Sequence, residues 1–457
     1  MNIKVKKGFD INLAGKAEKT LTKLMPTTVA LKPDDFVGMY RPKIAAKEGT
    51  SVKAGSPVLY DKAHPDIFYT SPVSGEVVEI RRGEKRKILE IVILAESETS
   101  YEEFKAYNQS ELSKISADEI RATLLKSGAW THILQRPYNV VPAADSTPKA
   151  IFISAFDSHP LAPDYNFAFK GEEKNMQAGI SVLAKMAGCP IHVTTDAKAE
   201  VSDTFKGLEG VQKHQASGPH PAGNVGIHIH HVNPINKGEV VWTINPFGVA
   251  LIGKLFLTGK YDAMKKVALT GSELNKPQYV EMPLGANLEK ALEGQFKQDN
   301  VRVISGNPLT GVRIQKDGFL GYYDNQITVL PEGDEARFFL TTGWLAPVAN
   351  RVSFHKAFGL LSFLNGKKKE YRLDTSMNGE ERAFVLTGEF ERVTPMDVLP
   401  THLIKAILSE DYDEMEALGI YEVVEEDLAL CEFIDVSKHP IQEILREGLD
   451  MMRATEA

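Results

Sequence analysis

No apolar run in this sequence is long enough to dominate the fold. The best, Phe247 to Leu257, is short and is interrupted by Gly248, Gly253 and Lys254, whereas a membrane-spanning helix needs about 18 uninterrupted apolar residues. The interior must therefore be assembled from short strands and amphipathic helices. At 457 residues the chain has room for roughly three units of about 150 residues, each with its own core. With 43% hydrophobic and 25% charged residues it reads as an ordinary globular protein. Two cysteines, Cys189 and Cys431, exclude a disulfide scaffold, and no Cys-x-x-Cys pair offers a zinc or iron–sulfur site. The start, Met1-Asn2-Ile3-Lys4-Val5-Lys6-Lys7-Gly8, has no apolar stretch after its lysines. The expectation is a chain without a secretory signal, kept in the reducing cytoplasm with both thiols free.

The net charge of −8 is unevenly distributed. Ser409 to Asp435 carries eleven acidic residues and no Lys or Arg, which leaves the remainder at +3. Basic residues cluster in Arg81-Arg82-Gly83-Glu84-Lys85-Arg86-Lys87 and in Lys367-Lys368-Lys369. The acidic run and basic clusters read as a solvated helix face and two exposed hairpin turns, or the basic turns form a docking surface for an anionic membrane or a protein partner. The patches are small and lack interleaved aromatics, which argues against nucleic acid.

Pro33 to Ile93 alternates β-prone runs with Gly turns, as in Gly49-Thr50-Ser51-Val52 and Phe68-Tyr69-Thr70-Ser71-Pro72-Val73-Ser74-Gly75. Even spacing of strands and turns argues for a small barrel or sandwich. The segment resembles a biotinyl/lipoyl-type domain, the barrel-sandwich hybrid, down to Asp61-Lys62-Ala63, the tripeptide that carries the modified lysine in lipoyl domains. His64-Pro65-Asp66 lengthens the connection after that lysine, and a proline there interrupts a hairpin ladder. The reading is a scaffold rather than a carrier with a modified Lys62.

The middle of the chain reads as α/β. Lys149 to Ser154, Pro190 to Thr194, Glu239 to Ile244 and Lys266 to Leu269 are short apolar runs of strand type. Met176 to Met186 has helical spacing with Gly188 as its stop. Asn245-Pro246 opens a second helix with a capping side chain and a proline at its first position, and Gly259 ends it. Strands alternating with helices imply a mostly parallel sheet. Gly218-Pro219-His220-Pro221-Ala222-Gly223-Asn224 is a loop that spells neither a Walker A nor a G-x-G-x-x-G. Gly226 to Val232 follows; read as a strand, it points His228 and His230 to one face and His231 to the other. With His214 and His220 these form a cluster. Imidazoles two apart on one face can share a zinc or iron ion, but no carboxylate or thiolate sits at a matching local spacing. The cluster is then a hydrogen-bonding wall for a ligand, or polar side chains on a half-exposed strand.

Val267 to Gly306 runs strand, turn, strand, helix, strand, which looks like the β-grasp domain of soluble-ligand-binding proteins. Beyond about Thr342 the pattern turns helical, clearest at Pro400 to Leu408 and His439 to Met452. The fold class expected is multidomain α/β and α+β. Residues 1–100 form a barrel-sandwich hybrid, 101–262 a Rossmann-like α/β domain, 263–341 a β-grasp domain and 342–457 a helical region.

Several motifs carry a wider resemblance: Ile3-Lys4-Val5-Lys6-Lys7-Gly8-Phe9-Asp10-Ile11, Gly218 to Asn224, Glu391-Arg392-Val393-Thr394-Pro395-Met396-Asp397-Val398-Leu399-Pro400-Thr401, and Glu425-Glu426-Asp427-Leu428-Ala429-Leu430-Cys431. In these, and in domain order over nearly the whole chain, the sequence resembles the A subunits of Na⁺-translocating NADH:quinone oxidoreductases. It is more distantly similar to the C subunits of Rnf electron-transport complexes and to the flavin-binding subunits of respiratory complex I. Those two groups of relatives hold NADH and FMN on a glycine-rich loop. The corresponding stretch, Lys126 to Pro137, has a single glycine and carries Trp130 and Arg136 in the approach, so a phosphate cradle is not expected. Cys431 lacks the second cysteine common four residues later in the A subunits, where Asp435 stands; it reads as a buried structural thiol.

The resemblance implies a peripheral subunit on the cytoplasmic face of the bacterial inner membrane, free of cofactors itself. FMN, FAD, riboflavin, iron centres and NADH would sit on partner subunits, which also supply the membrane helices. It further implies contact with quinone, or a scaffold role. A quinone site needs an apolar slot and donors to the carbonyl oxygens, for which the candidates are His228, His230 and His231 with Phe156 and His159 at a strand-end loop. The alternatives are a stand-alone flavin-dependent NADH oxidoreductase and a lipoyl- or biotin-like carrier.

Overall fold

A computed structural model of the chain describes residues 1–335, 352–353, 356–357 and 369–456. The boundary expected near Thr342, and Lys367-Lys368 of the second basic cluster, lie outside the described residues.

The N-terminal sandwich consists of two small antiparallel sheets. One orders Thr28–Leu31, Ile88–Ala95, Gly75–Arg82 and Ser51–Val52; the other orders Pro42–Ile44, Pro57–Asp61 and His64–Thr70. Alternation turns Val29, Leu31, Val77, Ile91 and Ile93 inward. Lys62-Ala63 forms a tight turn in which Asp61 pairs with His64. The extra residues predicted to lengthen this connection lie beyond the turn: the register shifts between Asp61/His64 and Tyr60/Phe68, leaving Pro65 in a bulge, where its missing N–H costs least. The basic run Arg81 to Lys87 is the exposed tip of the hairpin joining Gly75–Arg82 to Ile88–Ala95.

Two strands within the first hundred residues leave this unit. Asn2–Lys4 pairs in parallel with Gln212–Ser217, and Glu18–Lys23 pairs in parallel with Gln278–Pro283. The contiguous sandwich therefore begins at Thr28, after the chain has laid an edge strand on each of the two following sheets.

The second sheet orders Asn2–Lys4, Gln212–Ser217, Ile191–Asp196, Ala150–Ser154, Val241–Ile244 and Ile133–Arg136, parallel except for the last strand. The helices Glu173–Ala187 and Pro246–Thr258 pack together, both ended by a left-handed glycine, Gly188 and Gly259. As the sequence indicated, the Asn245 side chain accepts the N–H of Phe247 and Pro246 occupies the first turn.

Val225–Val232 is a helix, not a strand. Alternating Ile and His residues read locally at period 2, but the same stretch repeats Val225, Ile229 and Val232 at helical spacing. These pack on Ala150, Phe152 and Val241 of the sheet. The segment joins Gln212–Ser217 to the parallel strand Val241–Ile244, which lies beyond two intervening strands. Such a crossover is commonly made by a helix, whose backbone bonds close within itself.

The third sheet orders Val312–Ile314, Val301–Ser305, Gln326–Pro331, Met264–Thr270, Gln278–Pro283 and Glu18–Lys23, with the short helix Glu289–Leu292 on the connection. The C-terminal region is helical: Phe390–Val393, Pro400–Leu408, Tyr412–Ala417, Glu425–Ile434 and Ile441–Glu456. Its core, with Leu403, Leu428, Leu445 and Leu449, is continuous with Ile3, Ile11 and Leu13 from the N-terminus.

Candidate functional site

The parallel strands Ala150–Ser154, Ile191–Asp196 and Gln212–Ser217 end on one side of their sheet, where ligands of open α/β sheets bind. The loops leaving them line two cavities, of about 620 Å³ and about 310 Å³. Phe156, Asp157, His159, Pro163 and Tyr165 line both.

Asp157 and His159 form the charged centre of this wall. The Asp157 carboxylate accepts the backbone N–H of His159 at 2.8 Å and its ring Nδ1–H at 2.6 Å. Burial opposes both charges, and the pair outweighs it: the His159 imidazole is held above its ordinary value by Asp157, and Asp157 is held below the ordinary carboxylate range by His159. Among the described residues, Nε2 of His159 has no hydrogen-bond partner. The ring of His220 lies 4.5 Å from that of His159. Burial, reinforced by repulsion from His159, pushes His220 well below its ordinary value. Its Nδ1 is 2.9 Å from Ser158 Oγ, which in turn accepts the Gly223 N–H at 2.8 Å. A Cβ on Gly223 would lie 2.6 Å from the Ser158 nitrogen, so only glycine lets these two loops close on each other.

The smaller cavity is completed from the C-terminal helical region. Arg136, at the end of its strand and only 2% exposed, donates Nη1–H to Asp427 Oδ2 at 2.7 Å and a second bond to Glu426. The two carboxylates hold the buried guanidinium charged against desolvation, while burial pushes Asp427 up. Asn224 donates from Nδ2 to the Glu426 carbonyl at 3.0 Å. A Cβ on Gly226 would stand 2.5 Å from the Asp427 carboxylate oxygens. Glu426 thereby joins Arg136, His159, Asn224 and Tyr165 in the cavity wall.

The five residues singled out in the sequence are only partly brought together. Phe156 and His159 line both cavities; His228, His230 and His231 line neither. His228 is fully buried behind Phe156, ring centroids 5.8 Å apart. Its Nε2–H donates to the Ala222 carbonyl at 2.9 Å, and burial pushes it down to about 4. His230 bonds Glu422 through Nδ1 at 2.8 Å and accepts the Asp397 N–H on Nε2 at 3.1 Å, so it pins the helix to the C-terminal region. His231 turns back to the Ile227 carbonyl of its own helix. His214 pairs with His192 on the neighbouring strand, 2.9 Å apart. Among the described residues no group of three His, Cys, Asp or Glu side chains is placed to hold a metal ion. The sequence reading missed Asp157, Arg136, Glu426 and Tyr165. Only the Asp-x-His spacing of Asp157 and His159 was a local signal.

In the stretch Lys126 to Pro137, Gly128 is the left-handed cap of the helix Ala117–Ser127. A Cβ there would meet Thr70 Oγ1 of the sandwich at 2.2 Å. Trp130 is fully buried, edge-on to Trp242 at 5.4 Å. Cys431 is buried beside Thr394 Oγ1 at 3.4 Å, and burial pushes its thiol up to about 12. Among the described residues no helix is long and apolar enough to cross a membrane.

The family matches and the full-length relatives of this chain agree with one another. Residues 3–96 match the family described as the NqrA N-terminal barrel-sandwich hybrid domain, 115–261 the NqrA second alpha/beta domain, and 266–316 the NQRA C-terminal domain. The chain is 38% identical over 450 residues to the A subunit of the Na(+)-translocating NADH-quinone reductase of Neisseria meningitidis serogroup A, with 98% of each chain covered. It is 36% identical over 452 residues to the corresponding A subunit of Haemophilus influenzae strain PittGG, again with 98% of each covered. A solved NAD⁺-reducing [NiFe]-hydrogenase aligns over 50% of this chain and 49% of its own at 12% identity, with a TM-score of 0.38. Full-length identity at this level, matched domain by domain, places the chain in the family of Na(+)-translocating NADH-quinone reductase A subunits.

Proposed function

We propose that the chain serves as the A subunit of a Na⁺-translocating NADH:quinone reductase, which couples NADH oxidation and quinone reduction to Na⁺ export. It acts as a peripheral subunit on the cytoplasmic face, attached to the membrane through partner subunits. In this reading residues 101–262 are a Rossmann-like unit. The spatial order of its parallel strands, third, second, first, fourth in chain order, supports that assignment. Residues 263–341 are of β-grasp type, supported by the mixed sheet with one short helix on its connection. Residues 1–100 supply the sandwich and 342–457 the helical region. FMN, FAD, riboflavin, iron centres and NADH belong to partner subunits. The packing of Gly128, Trp130 and Arg136 into the interior supports this, because it leaves no bare backbone cradle for a phosphate.

The chain's own ligand in this reading is the quinone headgroup, held in the smaller cavity. Its volume of about 310 Å³ falls in the range of small-molecule sites. Phe156 and Tyr165 supply ring faces, and His159 supplies a donor to a carbonyl oxygen. The carrying observation is the Asp157–His159 pair, an imidazole whose protonated form a half-buried carboxylate favours and whose second nitrogen has no partner among the described residues. Titration of the isolated chain with a short-chain soluble quinone, followed by tryptophan fluorescence, tests it. We expect saturable binding that weakens at least tenfold in His159→Ala, about the 1.5–3 kcal/mol of a hydrogen bond to a charged group, and is unchanged in His231→Ala. Absence of saturable binding leaves only the scaffold role.

A further inference from the structure

Lys265 is a buried amine that, among the described residues, makes no ion pair with a carboxylate within 4 Å. It lies on the strand Met264–Thr270 and is 4% exposed. Its Nζ donates to the Asp324 carbonyl at 2.6 Å and lies 5.0 Å from the centroid of the Phe247 ring. Fixing a cation inside a protein on a backbone carbonyl and a ring face is costly, and such groups concentrate at functional sites. Beside it is a pocket of about 20 Å³, room for a single water. Pro163, Tyr165 and Asn325 line both this pocket and the smaller cavity, and Asp324 lines the cavity as well. Burial pushes Lys265 down to about 7, with the Asp324 carboxylate opposing it. The titratable groups around it are His132, Tyr165, Asp324 and, next along its strand, Lys266. Burial, with the Lys265 charge adding to it, pushes His132 down to about 3, and burial holds Tyr165 far above its ordinary value. Neither exchanges protons near neutrality.

We propose that Lys265 is an internal proton source for quinone reduction in the smaller cavity, acting through one water in the small pocket beside the contact in which Asn325 Nδ2 lies 3.5 Å from the Tyr165 hydroxyl. The proposal rests on the quinone reading of that cavity. Reduction of a quinone to a quinol consumes two electrons, which the reductase's carriers deliver, and two protons. The ammonium of Lys265 gives one proton to the water, which passes a proton to a reduced carbonyl oxygen. The His159 imidazolium gives the second. Both groups are left neutral and recover their protons from solvent.

The test uses Lys265→Met, Lys265→Arg and Ala168→Val in the assembled enzyme, with quinone binding measured on each isolated chain. Ala168 lines the small pocket and not the cavity, so the valine narrows the relay and leaves the lysine. In the wild type, quinone reduction slows above about pH 7 as the donor empties. We expect Lys265→Met to bind quinone within threefold of wild type, to lose at least tenfold in rate at pH 6 and to flatten the profile from pH 6 to 8. Lys265→Arg keeps the charge but cannot release the proton, and is as slow; Ala168→Val slows in the same direction. Wild-type rates and an unchanged pH profile in Lys265→Met overturn the relay while the quinone site stands. Absence of quinone binding in the wild-type chain overturns both.

Discussion

His159 and the buried neutral histidines carry opposite pH dependences. Asp157 raises the pKa of His159, so their attraction is fully present below the unfolded value of about 6.5 and is lost as pH rises through the folded one. The depressed Asp157 adds stability above its unfolded value, lost as pH falls through the lower folded one. His132 and His228 behave otherwise. Burial pushes them down to about 3 and about 4, so below pH ~6.5 the unfolded chain binds protons that the folded chain refuses. We expect stability to fall from pH ~6.5 towards 4 by up to about 1.4 kcal/mol per pH unit for each. Urea midpoints measured across that range, with His228→Gln removing one share of the slope, check this; midpoints that stay level contradict it. Sequence could place His159 and Phe156 at a strand-end loop because Asp157-Ser158-His159-Pro160 is turn chemistry. It could not show that Asp157 turns back onto His159, nor that His230 faces Glu422, because those choices depend on neighbours far away in the chain.

The helices Glu173–Ala187 and Pro246–Thr258 meet almost backbone to backbone. A Cβ on Gly253 would stand 1.8 Å from the Asn175 carbonyl oxygen, and one on Gly179 2.0 Å from that of Val249. The glycine that breaks the best apolar run is thus the residue that lets the run pack. We expect Gly253→Ala to destabilise the chain by roughly 1–3 kcal/mol, the usual cost of overpacking, although alanine is the better helix former. Thermal unfolding measures it, and a variant as stable as wild type disproves the close approach. At this scale the helices with capping residues were legible: Asn245-Pro246, Gly188 and Gly259 act within a few residues. Val225–Val232 was not, because its eight residues satisfy period 2 and period 3.6 together. The crossover between parallel strands decides between them.

At the scale of the molecule, the acidic segment Ser409 to Asp435 looked like a solvated face or a place for partners. Its first residues, Ser409 to Glu414, are exposed, but its helix Glu425–Ile434 turns Glu426 and Asp427 inward onto Arg136. That buried pair ties the helical region to the α/β sheet and builds one wall of the cavity. Arg136→Ala strands a buried carboxylate, and we expect a loss of about 3–5 kcal/mol. Urea denaturation measures the loss. The double replacement Arg136→Met with Asp427→Leu should recover most of it; a single variant without loss shows the pair to be idle.

Apart from the helix Val225–Val232, the order of units was already written in the sequence: a Gly-punctuated β unit, alternating strands and helices, a second mixed unit, then helices. The sequence also carried the family, since period, caps and motif residues are written in neighbouring positions. The tertiary structure alone decided which charges become buried, where Asn2–Lys4 and Glu18–Lys23 pair, and that Arg136, His159 and Glu426 gather around one cavity, with Lys265 at the small pocket beside it. Those outcomes turn on contacts between residues up to 291 positions apart. Their energies, desolvation against ion pairing and hydrogen bonding, exist only once the chain has brought the partners together.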